Sequence, residues 1–346
     1  FFQAEDGIRD VAVTGVQTCA LPIYGEQMNI LITGGTGFFG RAFTNHLLEN
    51  NLAKKIVVFS RDEAKQAAMR MNYPQNEMRW MIGDVRDKER LERAMHGIDV
   101  VVHAAALKRI EVGAYNPDEM VKTNILGTMN VIDAAIKAGV KRVVFLSSDK
   151  AYQPISPYGQ SKALAESMIL NANNWAGGAT KFAAVRYGNV SNSTGSVIPK
   201  WREILKTSDT VPVTDPDCTR FHMFSWQACE LVMLAINEMN GTVPYIPDLP
   251  AYRLGDLAEA MGAKMKIIGL PAHEKNHECM GDGNCSNTAR RMSVEPRDDR
   301  RPGAARRREA PRREGIRRPR RPAALSPGRS SRVRPVAEHA RHEPHQ

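Results

Sequence analysis

No stretch of about 18 consecutive apolar residues occurs in the 346-residue chain, so no membrane-spanning helix is expected. Residues 1–27 (FFQAEDGIRDVAVTGVQTCALPIYGEQ) have neither the basic opening nor the apolar run of a secretory signal. Cysteine is sparse. Cys19, Cys218, Cys229, Cys279 and Cys285 are odd in number and irregular in spacing, and are expected to be reduced thiols of a cytoplasmic protein rather than a disulfide framework. Lysine is absent after residue 296, where Arg297–Gln346 hold 16 arginines against 6 acidic residues. That surplus is the whole of the net charge of +10, so residues 1–296 are neutral overall. A globally basic nucleic-acid binder is thereby excluded.

Three segments differ in kind. Residues 1–27 show no periodicity and look like a translated sequencing adaptor, with Met28 the expected start. The tail from 296 to 346 is rich in Arg, Pro and Ala and has no aromatic residue, too little apolar surface to offset the entropy of ordering. Its arginine-only basicity reads as a frameshift in GC-rich DNA. The rival reading is a basic arm for RNA or a membrane surface. Between them, MNILIT (28–33), KIVVFS (55–60), MRWMIG (78–83), DVVVHAA (99–105), RVVFLSS (142–148) and KFAAVRY (181–187) are mostly continuous apolar runs, as strands covered on both faces require. Helical stretches such as Arg41–Asn50, Lys88–Met95 and Asn124–Ala138 separate them, the last stopped by Gly139. The alternation predicts an α/β protein with a Rossmann-type, doubly wound parallel sheet over 28–190, followed by a smaller substrate-binding region over 191–295.

The first strand runs into Gly34-Gly35-Thr36-Gly37-Phe38-Phe39-Gly40 and then a helix. Glycines there permit a tight turn, backbone approach to a pyrophosphate and close helix–strand packing, while the helix N-terminus favours the anion. Gly34, Gly37, Phe38, Phe39 and Gly40 are therefore expected at a dinucleotide. Ser60 and Arg61, at the end of the second strand where an acid would select NAD, suit the 2′-phosphate of NADP. Asp84 and Val85 follow the third strand and Ala104 and Ala105 the fourth, as expected for residues against the adenine and the cofactor body.

Tyr158 and Lys162 are spaced i, i+4, which puts them on one helix face. A lysine there assists a phenol, otherwise a poor base at neutral pH, and reaches a cofactor ribose. Ser147-Ser148-Asp149-Lys150 stands at the carboxyl end of the fifth strand, the edge at which such sheets bind ligands.

Glycine loop, AAA turn, upstream hydroxyl and YxxxK together resemble the extended short-chain dehydrogenases/reductases. More closely, TGGTGFFG, FSRDE, GDVRD, HAAALKR, YNPDEMVKTNILGTMNVIDAA, SSDKA, SPYGQSK, RYGNV, STGSVIP and TDPDCTRF look like the inverting UDP-N-acetylglucosamine 4,6-dehydratases. The resemblance implies that Tyr158, aided by Lys162, takes the C4 hydroxyl proton and that Ser148 hydrogen-bonds the 4-oxygen. Lys150, its pKa lowered by burial beside Lys162, would be the base at C5, and Asp149 would protonate the leaving C6 hydroxyl. NADP would be tightly held and the enzyme a homo-oligomer. Lys108 and Asn124 are expected at the cofactor. Lys108, Asn189, Ser196, Val197 and Arg220 are expected at the UDP-sugar, Arg220 near its diphosphate.

This chain departs from that family at Pro271-Ala272-His273-Glu274-Lys275, where RPGEK is usual, and at His222, where an aromatic is usual. His273, Arg290 and Arg291 are the candidates to replace the missing arginine. The run His273, His277, Cys279, Cys285 matches no standard zinc spacing, so no metal is expected. Two rival functions are a UDP-sugar 4-epimerase, which needs Tyr158 and Lys162 but no elimination pair, and a non-catalytic NADP-binding protein. No nucleic-acid or membrane partner is expected.

Overall fold

Six of the apolar runs assemble into one parallel sheet. In the computed structural model of the chain, residues 12–13, 27–74 and 76–289 are described. The expected leader over 1–27 lies outside them apart from 12–13 and 27, as do Arg290, Arg291 and the whole tail over 296–346. The sheet strands are β1 (Met28–Thr33), β2 (Ala53–Ser60), β3 (Met78–Ile82), β4 (Val100–His103), β5 (Arg142–Leu146) and β6 (Lys181–Val185). They pair in parallel in the order β3-β2-β1-β4-β5-β6. The order reverses between β1 and β4, which opens a crevice at the carboxyl edge there.

The twofold period of a strand splits the core in two. Ile30, Ile32, Val58 and Val102 join Phe43 and Leu47 of α1 (Phe38–Glu49) on one face. Leu31, Val57, Val101 and Val143 join Leu91 of α2 (Lys88–Ala94), Val131 of α3 (Gly127–Ala138) and Ile169 of α4 (Pro157–Ala172) on the other. Each such side chain contributes about 1.5–3 kcal/mol on burial. Gly139 ends α3 at φ 70°, the left-handed stop anticipated from its place after Ala138.

After residue 190 the pattern changes. Trp201 of α5 (Val197–Ile204), Val211, Val213 and Leu257 form a third, smaller core. Two small sheets flank it. In one, β9 (Thr219–Met223) lies between β7 (Asn189–Val190) and β10 (Ala251–Arg253); in the other, β8 (Thr210–Val213) pairs with β11 (Lys264–Ile267). Helix α6 (Ser225–Glu238) returns to the first face of the main sheet, where Ala228, Val232 and Ile236 are buried with Phe43. Among the described residues no helix is long and apolar enough to cross a membrane.

The expectation of reduced cysteines is corrected at one place. Cys279 and Cys285 stand opposite each other on the hairpin β12 (Cys279–Gly281) and β13 (Asn284–Cys285), with Cα atoms 4.0 Å apart, and form a disulfide. Count and spacing cannot reveal this, because the pairing comes from the hairpin register. Cys218 and Cys229 are free and buried.

Candidate active site

A cavity of about 700 Å³ runs along the carboxyl edge of the sheet and continues against the residues after β6. At one end lies the glycine turn. Gly34 takes φ +66°, and a Cβ there would meet the Ala105 backbone at 3.0 Å, so the turn and the loop after β4 approach more closely than a side chain allows. Gly37 begins α1 without any side-chain cap, whereas Asp62 and Asp87 cap the helices after β2 and β3 by accepting from Lys65 N and Arg90 N. The first-turn N–H groups of α1 therefore keep their capacity for an anion at a cavity wall formed by Gly37, Phe38, Phe39 and Gly40. An uncapped helix start beside a glycine-rich turn, whose one side chain, Thr36, is turned to Ser60, fits a dinucleotide pyrophosphate.

The remaining cofactor residues divide. Ala104, Ala105, Val85 and Lys108 line the cavity. Ser60 also borders it, but its hydroxyl accepts from Thr36 Oγ1 and Gln66 Nε2, each at 3.1 Å. Arg61 is largely exposed, with Nη1 3.6 Å from Asp84. The Asp84 carboxylate is held mainly by Arg86, at 3.0 Å from Nε and 2.7 Å from Nη2, an interaction absent from the reading of the sequence. Asn124 is not on the cavity wall. It is buried in a π-helical turn (Val121–Leu126), where it accepts from Leu107 N at 2.8 Å and donates to Leu107 O and Ser161 Oγ, each at 2.9 Å. Its part is to tie the loop after β4 to α4, one residue from Lys162.

Ser148, Asp149, Lys150, Tyr158 and Lys162 all line this same cavity. Ser148 caps a single 3₁₀ turn (Asp149–Ala151) by accepting from Lys150 N, and donates to Asp149 Oδ1 at 2.8 Å. Asp149 is 1% exposed, and its Oδ2 has no hydrogen-bond partner among the described residues. Ser156 caps α4 and Pro157 begins it, which places Tyr158 in the first turn and Lys162 one turn further in. Lys162 donates to the Leu146 carbonyl and lies over the Phe145 ring. Burial pushes Lys162 down to about 7 against the opposing charge of Glu166. Burial also raises the Tyr158 phenol, opposed by its hydrogen bond to Ser148 and by the Lys150 charge.

Lys150 corrects an expectation. Burial alone would lower its pKa, as supposed, but the carboxylates of Asp149 and Glu278, both 3.2 Å from Nζ, outweigh it and hold Lys150 above the ordinary lysine range. Glu278 is not among the residues that the sequence marks for the site. It lies far along the chain from Lys150, and no local pattern marks the contact.

On the substrate side, Asn189, Ser196, Val197 and Arg220 line the cavity. Arg220 is 7% exposed, and its Nη1 donates to Thr219 O and Asn276 O at 2.8 and 3.0 Å. Its Nη2 is 3.4 Å from Glu274. Tyr187 and Lys200 also line the cavity and were not singled out from the sequence. His222 is buried, edge-on to Phe224 and Tyr252, and neither it nor His273 reaches the cavity wall. Within the run His273, His277, Cys279, Cys285, His277 shares a hydrogen bond with Thr219 Oγ1 at 2.9 Å and the two cysteines are joined by the disulfide.

The polysaccharide biosynthesis protein family matches residues 30–294. A Campylobacter jejuni (strain 81-176) protein named UDP-N-acetylglucosamine 4,6-dehydratase (inverting) is 46% identical over 256 residues, 73% of this chain and 77% of that protein. A Rickettsia typhi protein named UDP-glucose 4-epimerase is 39% identical over 261 residues, 72% of this chain and 76% of that protein. Among solved structures, Pen from Bacillus thuringiensis superposes with a TM-score of 0.72 at 38% identity, covering 75% of this chain and 84% of that one.

Proposed function

The chain belongs to the polysaccharide biosynthesis protein family, and on that premise we propose that it is an NADP-dependent UDP-N-acetylglucosamine 4,6-dehydratase that inverts C5. One observation carries this reading: the Tyr158–Lys162 pair and the Asp149–Lys150 pair border a single cavity beside the glycine turn. The first pair serves oxidation at C4. The second serves elimination, for which a 4-epimerase has no use, and so favours the dehydratase name over the epimerase name among the relatives.

The glycine turn at Gly34 and Gly37 with Ser60 and Arg61 would hold NADP, which would supply hydride-transfer chemistry at C4 and C6. Tyr158 takes the C4 hydroxyl proton, with Ser148 as its hydrogen-bond partner. Lys162 supports the phenolate by charge and holds the ribose. The new 4-keto group acidifies C5–H, and Asp149 and Lys150 supply the base and acid that remove that proton and expel the C6 hydroxyl as water. Arg220, kept rigid by two carbonyls, faces the diphosphate, and Asn189 and Ser196 face the sugar nucleotide. In this reading residues 28–190 hold the cofactor and 191–295 cover the substrate, in a cytoplasmic homo-oligomer.

The test is incubation with UDP-N-acetylglucosamine in D2O, followed by NMR. A 6-deoxy-4-keto sugar carrying deuterium at C5 is expected. Formation of the 4-epimer alone would establish the rival activity.

A further inference from the structure

We infer that Lys200 is a substrate-binding residue of this cavity. Its ammonium pairs with the diphosphate of the sugar nucleotide, shares that charge with Arg220 and sets the affinity for the nucleotide part of the substrate. This rests on the nucleotide-sugar reading above and deepens it by naming the side chain that reads the phosphates.

Lys200 stands on α5, whose residues divide by face. Trp201 is 3% exposed, belongs to the third core and donates from Nε1 to Pro212 O at 3.2 Å, which fixes the rotation of the helix about its axis. Ser196 and Val197 stand one turn before Lys200, and all three line the cavity. The other charged side chains of α5 have partners. Arg202 donates to Asn192 Oδ1 at 3.1 Å, and Glu203 pairs with Lys206. Lys200 is exposed and has neither an ion pair nor a side-chain hydrogen bond among the described residues.

The other cations that residues beyond β5 bring to the wall are already engaged. Lys150 has Asp149 and Glu278, each at 3.2 Å. Lys162 donates to the Leu146 carbonyl. Arg220 has two carbonyls and, at 3.4 Å, the Glu274 carboxylate. A carboxylate that close cancels part of the guanidinium charge, so Arg220 by itself offers a diphosphate less than one full positive charge. The segment around Glu274 adds no cation, since neither His273 nor Lys275 reaches the wall. A diphosphate entering a cleft needs cationic partners, because its charges are costly to desolvate unpaired. Lys200 has a flexible stem and three donors, and it can follow the phosphates without giving up a bond to the protein. Lys108 and Arg109 line the wall too, but they belong to the loop that meets Gly34 at Ala105, on the cofactor side.

The diphosphate is remote from the reacting carbons, and its charge does not change during the reaction. A contact with it is therefore equally strong in the ground state and the transition state, and its loss raises KM rather than lowering kcat.

Calorimetric titration of the full-length, NADP-loaded protein with UDP is the test. Lys200→Ala should weaken UDP binding about tenfold or more, because charge-assisted contacts to phosphate are the stronger ones, and Lys200→Arg should stay within about threefold of the wild type. Alanine is well tolerated at an exposed helical position, so the fold should be kept. Raising NaCl from about 0.05 to about 0.5 M should narrow the gap between wild type and Lys200→Ala, since screening weakens a charge contact and leaves packing alone. With UDP-N-acetylglucosamine as substrate, KM should rise about tenfold while kcat stays within about threefold. Unchanged UDP affinity in Lys200→Ala overturns the proposal, and so does a gap that salt does not narrow. A wild type that binds no UDP overturns it whatever its turnover. The dehydratase reading fails separately: UDP binding that depends on Lys200, in a protein that does not turn over UDP-N-acetylglucosamine, removes that reading and leaves Lys200 in place.

Discussion

Lys162 Nζ lies 3.9 Å from the centroid of the Phe145 ring, inside the core on which α4 rests, and its hydrogen bond goes to the Leu146 carbonyl. Burial lowers its pKa to about 7, whereas a lysine in an unfolded chain titrates near 10.4. Between those values the unfolded chain holds a proton that the folded one lacks, so stability rises with pH across the window. The cost of burying this lysine is present in full below about pH 7 and is gone above about pH 10.4. Lys162→Met is expected to stabilise the nucleotide-free protein by about 2 kcal/mol at pH 6, with the gain fading as pH approaches 10. Turnover should fall at least about 100-fold. Urea unfolding at several pH values measures the first effect. A destabilised variant at pH 6 would show that the lysine is comfortable where it is.

Tyr158 needs its neighbours because burial alone works against phenolate formation. Burial raises its pKa, and only the Ser148 hydrogen bond and the Lys150 charge pull the other way among the larger influences. Tyr158→Phe should cut turnover by about 10²–10⁴ while NADP binding, measured by fluorescence titration, stays within about threefold. Ser148→Ala should cost about tenfold and move the acid limb of the pH–rate profile upward, since the phenol then ionises less readily. A Tyr158→Phe enzyme with ordinary turnover would remove the phenol from the chemistry.

Those two residues were legible in the sequence because their relation is local, one helical turn apart. The six sheet strands were legible for a related reason. Parallel strands buried on both faces leave continuous runs such as VVVH and RVVFL, and the observed bounds differ from the expected ones by no more than two residues at either end. Glu278 was not legible as a partner of Lys150, since a contact between distant segments leaves no mark on either. The π-helical turn at Asn124 escaped too, because the stretch up to Ala138 carries one continuous helical pattern, and one extra residue in a turn does not interrupt it. The Cys279–Cys285 bond escaped because the hairpin register, set by the turn at Asp282 and Gly283, is not written in the spacing of the cysteines.

Arg61 tests the choice of cofactor. Arg86 already satisfies Asp84 at 2.7 Å, so the weaker Arg61 contact at 3.6 Å can give way to a phosphate. The Ser60 hydroxyl is engaged by Thr36 and Gln66, and the nearby Lys65 is paired with Asp62 at 2.6 Å, which leaves Arg61 the more loosely held cation at this edge. Arg61→Ala should weaken NADP binding by about tenfold or more and NAD binding by less than about threefold, since charge-assisted contacts to phosphate are the stronger ones. Equal losses for the two nucleotides, measured by calorimetry, would mean that Arg61 does not read the 2′-phosphate.

Asn124 satisfies both the N–H and the C=O of Leu107 and reaches Ser161 beside Lys162. Asn124→Ala strands those backbone groups and should cost about 1–3 kcal/mol in urea unfolding. Asn124→Asp keeps the acceptor for Leu107 N–H and loses the donations to Leu107 O, Ser161 Oγ and Met120 Sδ, so it should be less damaging at low pH, where a protonated carboxyl restores one donor. Equal stability of the two variants at low and neutral pH would contradict that ordering.

Gly40 is where fold and cofactor site depend on the same missing atom. A Cβ there would lie 2.4 Å from the Gly35 carbonyl oxygen and 2.5 Å from Gly35 Cα. Those are backbone atoms, which cannot swing aside as a flexible side chain would. The clash can be relieved only if α1 lifts away from the turn, and its uncapped first-turn N–H groups then move from the cavity wall. Gly40→Ala should therefore lose about 1–3 kcal/mol of stability, the usual cost of overpacking, and about tenfold or more in dinucleotide affinity. Gly37→Ala is the comparison, because its added Cβ meets one atom, Gly34 O at 3.0 Å, with an ordinary φ of −71°. If stability loss and affinity loss are both larger at 40 than at 37, close packing of helix on strand is what holds the phosphate site open. The reverse order would make the turn at Gly37 the critical element instead.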